Sequence, residues 1–382
     1  MTAFHLVLGL ILAGYLGGRI VFPLRNRKVL AAVLLGMIAL GAFKSVLVRL
    51  LGGPQFFAPQ LPGWVLHFAA WWFGWVYFLL LLMLIAEPMR GLWALWCRKK
   101  HRPGLSPRQV NRLHGAFALT AALLASFALY GGMCAPQIRE MELAFPDLPP
   151  EADGLRIAVL SDIHANPTVP EARVREFVRL TMAARPDLIL LLGDYFDGTV
   201  AQAGRHVAPL AGLQAKHGVY AIPGNHEYYC GDYPAWRSFL QNLGLTMLEN
   251  EQVDLPSLNL RIAGITDPAG GKFDRKAPDL AKALAGAKRK FTILLAHRPQ
   301  HAPEAAKLGA KLQLSGHTHG GSVYGLKELV AKFNGGYVSG LYLVDNMPLV
   351  VSNGTGIWNG LPLRLGSPSE IIVLTLRRRN RR

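Results

Sequence analysis

Apolar residues are not spread evenly along this 382-residue chain. Up to about Met133 they gather into four long stretches, and beyond it the apolar runs shorten and begin to alternate with polar positions. The long stretches cover Ala3–Phe22, Val29–Leu51, Trp64–Ala86 and Leu113–Met133. Each reaches the roughly 20 residues that a helix needs to cross a hydrocarbon core. Runs such as Leu79–Ile85 leave no polar face, which argues against helices of a water-soluble core. The first stretch lacks a basic leader and a small-residue cleavage site, and Arg19 follows its apolar run. It is therefore expected to stay as an anchor rather than be removed.

The rest of the chain has a different rhythm. Ala135–Asp153, with Pro136, Pro146, Pro149 and Pro150, reads as a linker leading off the membrane. Short β-branched and leucine-rich runs then predict strands over Leu155–Leu160, Leu188–Leu192, Gly218–Ile222, Asn259–Ile265, Phe291–Ala296 and Lys311–Leu314. Helical spacing falls between them at Glu171–Ala184, Pro234–Leu243, Pro278–Ala287 and Pro303–Leu308. After His319 the helical signals mostly stop, and Tyr337–Asp345, Leu349–Ser352 and Glu370–Leu376 read as antiparallel strands. Alternation followed by hairpins predicts a layered α/β sandwich with a mixed sheet. The expected domains are residues 1–134 in the membrane, a linker at 135–153, a globular domain at 154–376 and a basic tail at 377–382.

Composition agrees with two unlike halves. The chain is 51% hydrophobic and 17% charged, with mean hydropathy +0.24, too apolar for one soluble domain and too polar for a polytopic transporter. Much of the net charge of +17 is topological. Arg25, Arg27 and Lys28 separate the first two apolar stretches, and Arg90, Arg98, Lys99, Lys100, Arg102, Arg108 and Arg112 separate the third from the fourth. The loop Gly52–Gly63 carries no charge. Basic loops stay in the cytoplasm, so the N-terminus and everything after Met133 are expected outside, with Trp64, Trp71 and Trp72 at the outer interface. Lys44 and Arg49, in the outward half of the second stretch, are expected to snorkel to the headgroups. The block Arg377, Arg378, Arg379, Arg381 and Arg382 has no aromatic interleaving, so no nucleic-acid partner is expected. Cys97, Cys134 and Cys230 form no disulfide framework and no zinc spacing.

The chemistry sits in five polar clusters: Asp162-Ile163-His164, Gly193-Asp194, Gly224-Asn225-His226-Glu227, His297 and Gly316-His317-Thr318-His319. The first, second and last directly follow apolar runs, so each ends a predicted strand, where ligands of α/β sheets collect. In Asp162-Ile163-His164 the two polar side chains are expected to project to one side while Ile163 packs away. Carboxylate, imidazole and amide donors suit Mn, Fe, Zn or Mg, and the lack of cysteine argues against structural zinc or an iron–sulfur cluster. Tyr228, Tyr229 and Tyr324 lie near the motifs, either lining a pocket or packing in the core.

This ordered set resembles the calcineurin-like metallophosphoesterase superfamily over about Leu155 to Leu376, and within it the membrane-associated bacterial branch. Gly354-Thr355-Gly356, Arg364 and Ser369-Glu370-Ile371 are a weaker part of the same likeness. The resemblance implies an α/β/β/α sandwich and a pair of divalent metal ions. Asp162, His164 and His319 would hold the first ion, Asp194 would bridge, and Asn225, His297 and His317 would hold the second. His226 would protonate the leaving oxygen or neutralise phosphoryl charge, oriented by Asp197. A hydroxide pinned between ions roughly 3.5–4 Å apart would attack phosphorus. The arginines of the phosphoprotein phosphatase branch are replaced by Gly198 and Pro223, which argues against phosphoprotein substrates.

The expected protein is thus a multi-pass hydrolase of the bacterial inner membrane, its catalytic domain on the outer, periplasmic side. Its partners are the lipid bilayer and a phosphoester, diester or pyrophosphate, attractive as a lipid-linked substrate because tethering raises local concentration. A non-catalytic scaffold on the same fold is the alternative, disfavoured by the presence of His226. A transporter or sensor with a regulatory outer domain is disfavoured by the scarcity of ionisable residues and Gly/Pro breaks in the apolar stretches.

Overall fold

A computed structural model describes residues 2–24, 26–53, 58–273 and 275–379 of the chain. Arg25 of the first basic loop, residues 54–57 of the uncharged loop, and Arg381 and Arg382 of the basic tail lie outside the described residues. The chain divides into two compact units, Met1–Tyr130 and Gly131–Arg382.

The first unit is helical: α1 (Thr2–Leu16), α2 (Lys28–Ala42), α3 (Lys44–Gly52), α4 (Gly63–Lys99) and the start of α5 (Pro107–Met133). Three helical spans are long and apolar enough to cross a membrane, His5–Leu24, Gly63–Lys99 and Pro107–Met133. The second predicted stretch is not one straight helix. It breaks at Phe43, and α2 and α3 meet at 70°, which makes a fourth crossing only if the bent pair counts as one span. The Trp72 indole donates to the Met37 carbonyl at 2.6 Å, one turn before the break. A side chain inserted into the helical hydrogen-bond ladder is a recognised cause of kinks. The break also changes the fate of Lys44. Instead of snorkelling, it is buried at the first turn of α3, with 7% exposure. Helix α4, at 37 residues, spans about 55 Å and outruns a hydrocarbon core of about 30 Å. Its end past Ala86 mixes charge with apolar side chains: Glu87 pairs with Arg90 at 3.0 Å, while Met89, Leu92, Trp93, Leu95 and Trp96 are exposed.

The second unit is built on two six-stranded mixed sheets. In chain order the strands are β1 (Gln137–Phe145), β2 (Arg156–Leu160), β3 (Leu188–Leu191), β4 (Val219–Ala221), β5 (Thr246–Met247), β6 (Glu251–Leu255), β7 (Leu260–Gly264), β8 (Phe291–Leu295), β9 (Leu312–Ser315), β10 (Gly340–Val344), β11 (Met347–Val351) and β12 (Glu370–Arg378). One sheet runs β1-β12-β2-β3-β4-β5 and the other β10-β11-β9-β8-β7-β6. Side-chain alternation along each central strand creates four layers. Ile157 and Val159 of β2 join Ile262, Ile293 and Leu295 of the other sheet in the core between the sheets. Ala158 and Leu160 point the other way, under α6 (Glu171–Ala183), α7 (Val200–Val207) and α9 (Tyr233–Asn242), which follows the short α8 (His226–Tyr229). Ala263, Leu294 and Val351 cover the outer face of the second sheet with Leu280, Ala283 and Ala305. This is the α/β/β/α sandwich. Strands buried on both faces need no polar alternation, which is why β2, β3 and β8 read as continuous apolar runs.

Several segments depart from the sequence reading. Helix α7 and strands β5 and β6 have no predicted counterpart. The stretch read as a linker contains β1, which pairs in parallel with β12 from Gln137↔Glu370 to Phe145↔Arg378. Its alternation Met141, Leu143, Phe145 is a half-buried strand signal that the flanking prolines obscured. The first residues of the basic tail belong to β12, with Arg377 bonded to Glu142 at 3.0 Å. After His319 a further helix covers Lys327–Phe333.

Candidate metal centre

Strands β2, β3, β4, β8 and β9 all deliver their carboxyl-terminal loops to one edge of the sandwich, and the five polar clusters ride on those loops. Backbone conformation there is unusual. Asp162, His164, Asp194, His317 and His319 all have positive φ, between 49° and 71°. Each left-handed residue costs about 1–2 kcal/mol, a strain that recurs at functional sites. The alternation of Asp162 and His164 therefore does not come from strand geometry, because β2 ends at Leu160. It comes from this irregular backbone, while Ile163 does turn away and is fully buried against the helical layer.

Three overlapping groups of side chains converge within 4.8 Å: Asp162, His164 and His319; His164, Asp194 and His226; and Asp194, His297 and His317. His164 and Asp194 are the shared members. His164 Nε2 lies 3.2 Å from His319 Nε2, and His297 Nε2 lies 3.2 Å from Asp194 Oδ2. Asn225 joins from the turn before α8, its Oδ1 buried and without a hydrogen-bond partner among the described residues. Asp197 is also present, accepting from His226 Nδ1 at 2.5 Å.

The loops are locked to each other by close approach. A Cβ on Gly224 would strike the Asp194 carboxylate, and one on Gly316 would strike the Ser161 hydroxyl, so only glycine lets these turns close. Thr355 N donates to Ser161 O at 2.7 Å and Gly356 N to Asp162 O at 3.0 Å, which explains the late Gly354-Thr355-Gly356 pattern as a clasp on the first loop.

Electrostatics point to a site that demands positive charge. Burial disfavours the His297 and His226 imidazoliums, yet Asp194 and its neighbouring carboxylates outweigh it and raise them to about 10 and about 9. Burial alone would raise Asp194 and Asp197, but the surrounding histidines hold both below the usual carboxylate range. Burial, with Arg298 beside His317 and Arg364 beside His319, keeps those two rings neutral.

The donors fit divalent cations. His297 Nδ1 bonds the Leu192 carbonyl at 2.6 Å, which leaves Nε2 as the nitrogen facing the cluster. His164 Nδ1 bonds Asp197 at 3.2 Å and likewise turns Nε2 inward. Such second contacts are what orient metal-binding imidazoles. The amide oxygen of Asn225, buried and unpaired among the described residues, is a further donor suited to such a cation. His319 fits less directly, because the Arg364 guanidinium stands 3.2 Å from its Nδ1 and, as a donor, favours a proton on the inward Nε2.

Residues 155–321 match the family described as calcineurin-like phosphoesterase. A metallophosphoesterase of Helicobacter pylori, described as uncharacterized, is 37% identical over 264 residues, covering 68% of this chain and 69% of that protein. The chain belongs to this family. Another relative, the transmembrane protein with metallophosphoesterase domain of Bos taurus, is 35% identical over 272 residues, covering 68% of this chain. The match spans 61% of the bovine protein's own length, less than two thirds of it. A metallophosphoesterase of Aquifex aeolicus, also described as uncharacterized, is 32% identical over 234 residues, 60% of this chain and 87% of that protein.

Within this member of the calcineurin-like phosphoesterase family, Asn166 escaped the sequence reading, as did the contacts of Glu227 and Arg364, which were named only as parts of motifs. Glu227 was visible only as part of its motif. Its buried carboxylate accepts from the backbone N–H groups of Asp194, Tyr195 and Gly224. Asn166 Nδ2 holds Asp197 at 2.8 Å, and Arg364 donates to the carbonyls of His319 and Gly356. The strand-rich spacing of Asp-x-His offered a hint for none of these, since each acts on another loop. Of the three tyrosines, Tyr228 packs in a small core with Tyr233, Tyr229 stands beside His226 at 5.4 Å between rings, and Tyr324 is exposed.

Proposed function

We propose that this chain is a membrane-anchored hydrolase of phosphoesters that works with two divalent cations, its globular domain on the outer side of a bacterial inner membrane. One observation carries the reading: three ligand groups overlap through His164 and Asp194, with the unpartnered Asn225 oxygen beside them. Asp162, His164 and His319 would hold one ion, and Asn225, His297 and His317 the other, with Asp194 common to both. Bound there, such a pair supplies an activated water at neutral pH and offsets charge on the phosphoryl oxygens.

The chain's own groups do the rest. Asp194 keeps the two halves of the cluster in register, since its Oδ1 accepts the His226 N–H at 2.8 Å. His226, fixed through Nδ1 by Asp197, presents its other nitrogen as the acid for the leaving oxygen. His226 also belongs to the middle ligand group, with His164 and Asp194, and its contact through Nδ1 with Asp197 is what favours the acid role over that of a further metal ligand. The basic residues between the apolar helices support the outer placement. Anchoring favours a lipid-borne phosphodiester or pyrophosphate, which a bilayer delivers at high effective concentration.

The test is hydrolysis of bis-p-nitrophenyl phosphate by purified protein with Mn²⁺, abolished by chelation and restored by metal. Protein that binds two equivalents of metal yet hydrolyses neither diester nor monoester would instead be a scaffold. Incubation with a total lipid extract, followed by detection of new phosphate-containing products, addresses the substrate.

A further inference from the structure

One partly buried cation beside the cluster has no part in the proposed scheme. Arg298 directly follows His297 on the loop after β8, and its side chain is 20% exposed. Asp267, on the loop after β7, has a fully buried side chain and takes Arg298 Nε at 2.7 Å and Nη2 at 3.3 Å. The same carboxylate caps the Ala269 N–H at 2.8 Å, so it is itself held in place. The Tyr229 hydroxyl is a further polar neighbour of the guanidinium. Tyr229 in turn stands 5.4 Å from the His226 ring and 5.9 Å from Phe273, and Trp358 lies 6.4 Å from His226. Arg298 thus follows one candidate metal ligand in the chain and neighbours Tyr229, which stands beside the candidate acid His226.

A guanidinium carries five N–H donors arranged as a fork with two usable edges. Asp267 engages the edge formed by Nε and Nη2. The edge formed by Nη1 and Nη2 is the one that can meet the paired oxygens of a phosphoryl group. Partial burial works against the guanidinium charge, but Asp267 and the more distant Asp194 outweigh it, so Arg298 is held as a cation beside the cluster. Sequence reading found Gly198 and Pro223 where clamping arginines were sought, and had no reason to look at the residue after His297.

We propose that Arg298, oriented by Asp267 and assisted by Tyr229, forms an anion subsite that grips a non-bridging oxygen of the substrate's phosphoryl group. This rests on the phosphoester reading above, and the site so formed would select tetrahedral oxyanions. The aromatic rim of Tyr229, Phe273 and Trp358 would then face the ester's organic group.

The experiment is calorimetric titration of inorganic phosphate into the full-length, Mn²⁺-loaded protein in detergent, alongside KM and kcat for bis-p-nitrophenyl phosphate. Arg298→Ala is expected to weaken phosphate binding at least tenfold and to raise KM, with metal content and thermal midpoint near those of the parent. Arg298→Lys, which keeps charge but loses the fork, should fall between the two, and Tyr229→Phe should lose a few-fold. If Arg298→Ala does not fold, Arg298→Lys decides the matter. Phosphate affinity unchanged within twofold in a folded, metal-replete Arg298 variant would overturn the subsite and leave Arg298 as a staple between loops. Because phosphate binding is read separately from turnover, a parent protein that binds phosphate but hydrolyses nothing would refute the enzyme reading without touching this one.

Discussion

The carboxylate of Glu227 accepts the backbone N–H of Asp194 at 2.9 Å, and with it fastens the second metal-site loop to the third. It also takes Tyr195 N at 2.8 Å and Gly224 N at 2.6 Å, so three donors from two loops end on one buried side chain. Glu227→Gln preserves the shape but replaces one acceptor oxygen with an NH₂ group that faces an N–H. The expected loss is about 1–3 kcal/mol of stability, the cost of leaving a buried donor unsatisfied. Urea denaturation measures it, and the metal affinity of the variant should fall with it because Asp194 loses its anchor. An unchanged midpoint would show that water replaces the lost contact.

Asp197 does more than orient His226. Its Oδ1 also receives His164 Nδ1 at 3.2 Å, so one carboxylate positions a candidate metal ligand and the candidate acid together. The two roles separate by mutation. His226→Ala should retain full metal and lose turnover by about 10²–10⁴-fold, the usual worth of a positioned acid. Asp197→Asn should lower both metal occupancy and kcat, as read by elemental analysis and diester hydrolysis. Parental metal content in Asp197→Asn would confine its action to His226.

How far the sequence revealed this site depends on which loops are concerned. Asp162, His164, Asp194, His297 and His319 each follow a recognisable apolar strand, and the structure gathers all of them within one cluster. Periodicity could not reveal that Asp162 and His164 owe their alternation to left-handed backbone, because φ is not written in residue type outside glycine. Strand β1 was hidden because prolines on either side looked like a connector, and its pairing partner β12 lies more than two hundred residues away. Residues such as Asn166, Glu227 and Arg364 act on loops distant in sequence, a relation that only the fold creates. The break at Phe43 follows Gly41, which packs closely against Trp72 and Val76 of another helix, a contact that the segment's own apolar pattern does not show.

Gly316 permits the last motif to touch the first. A Cβ there would fall on the Ser161 hydroxyl and come within 2.5 Å of Asp162 Oδ2. Gly316→Ala should therefore destabilise by about 1–3 kcal/mol, as overpacking does, and displace the Asp162 carboxylate. Adding Ser161→Gly removes the first clash but not the second. The double variant is expected to regain part of the thermal stability while its metal affinity stays low. Full recovery of both would mean that Asp162 adapts freely, contrary to the way His317 N holds its two oxygens at 3.1 and 3.0 Å.

Metal should stabilise as well as activate. Asp162, Asp194 and Asp197 are buried at the cluster, and bound cations relieve the repulsion among carboxylates that protons otherwise counter. Saturation at a hundredfold excess over Kd is worth about 2.7 kcal/mol per site. Exhaustive chelation should lower the unfolding temperature of the globular domain, with recovery on adding Mn²⁺. Identical melting curves with and without chelator would mean that these residues hold no ion in solution.

Topology turns on the bent pair α2 and α3. If they form one span the chain crosses four times and both ends lie on the same side of the membrane, whereas a re-entrant pair leaves three crossings and opposite ends. By the positive-inside tendency, the basic residues Arg98, Lys99, Lys100, Arg102, Arg108 and Arg112 between α4 and α5 favour a cytoplasmic loop there and, across one helix, a globular domain outside. Since α1 must also run with Arg27 and Lys28 toward the cytoplasm, only the four-crossing arrangement satisfies both loops. A reporter that is active only outside the cytoplasm should therefore work when fused after residue 379 and fail when inserted between residues 102 and 106. The reverse pattern would overturn the proposed outer placement and put the globular domain in the cytoplasm, as a re-entrant α2 and α3 with Arg27 and Lys28 kept inside would.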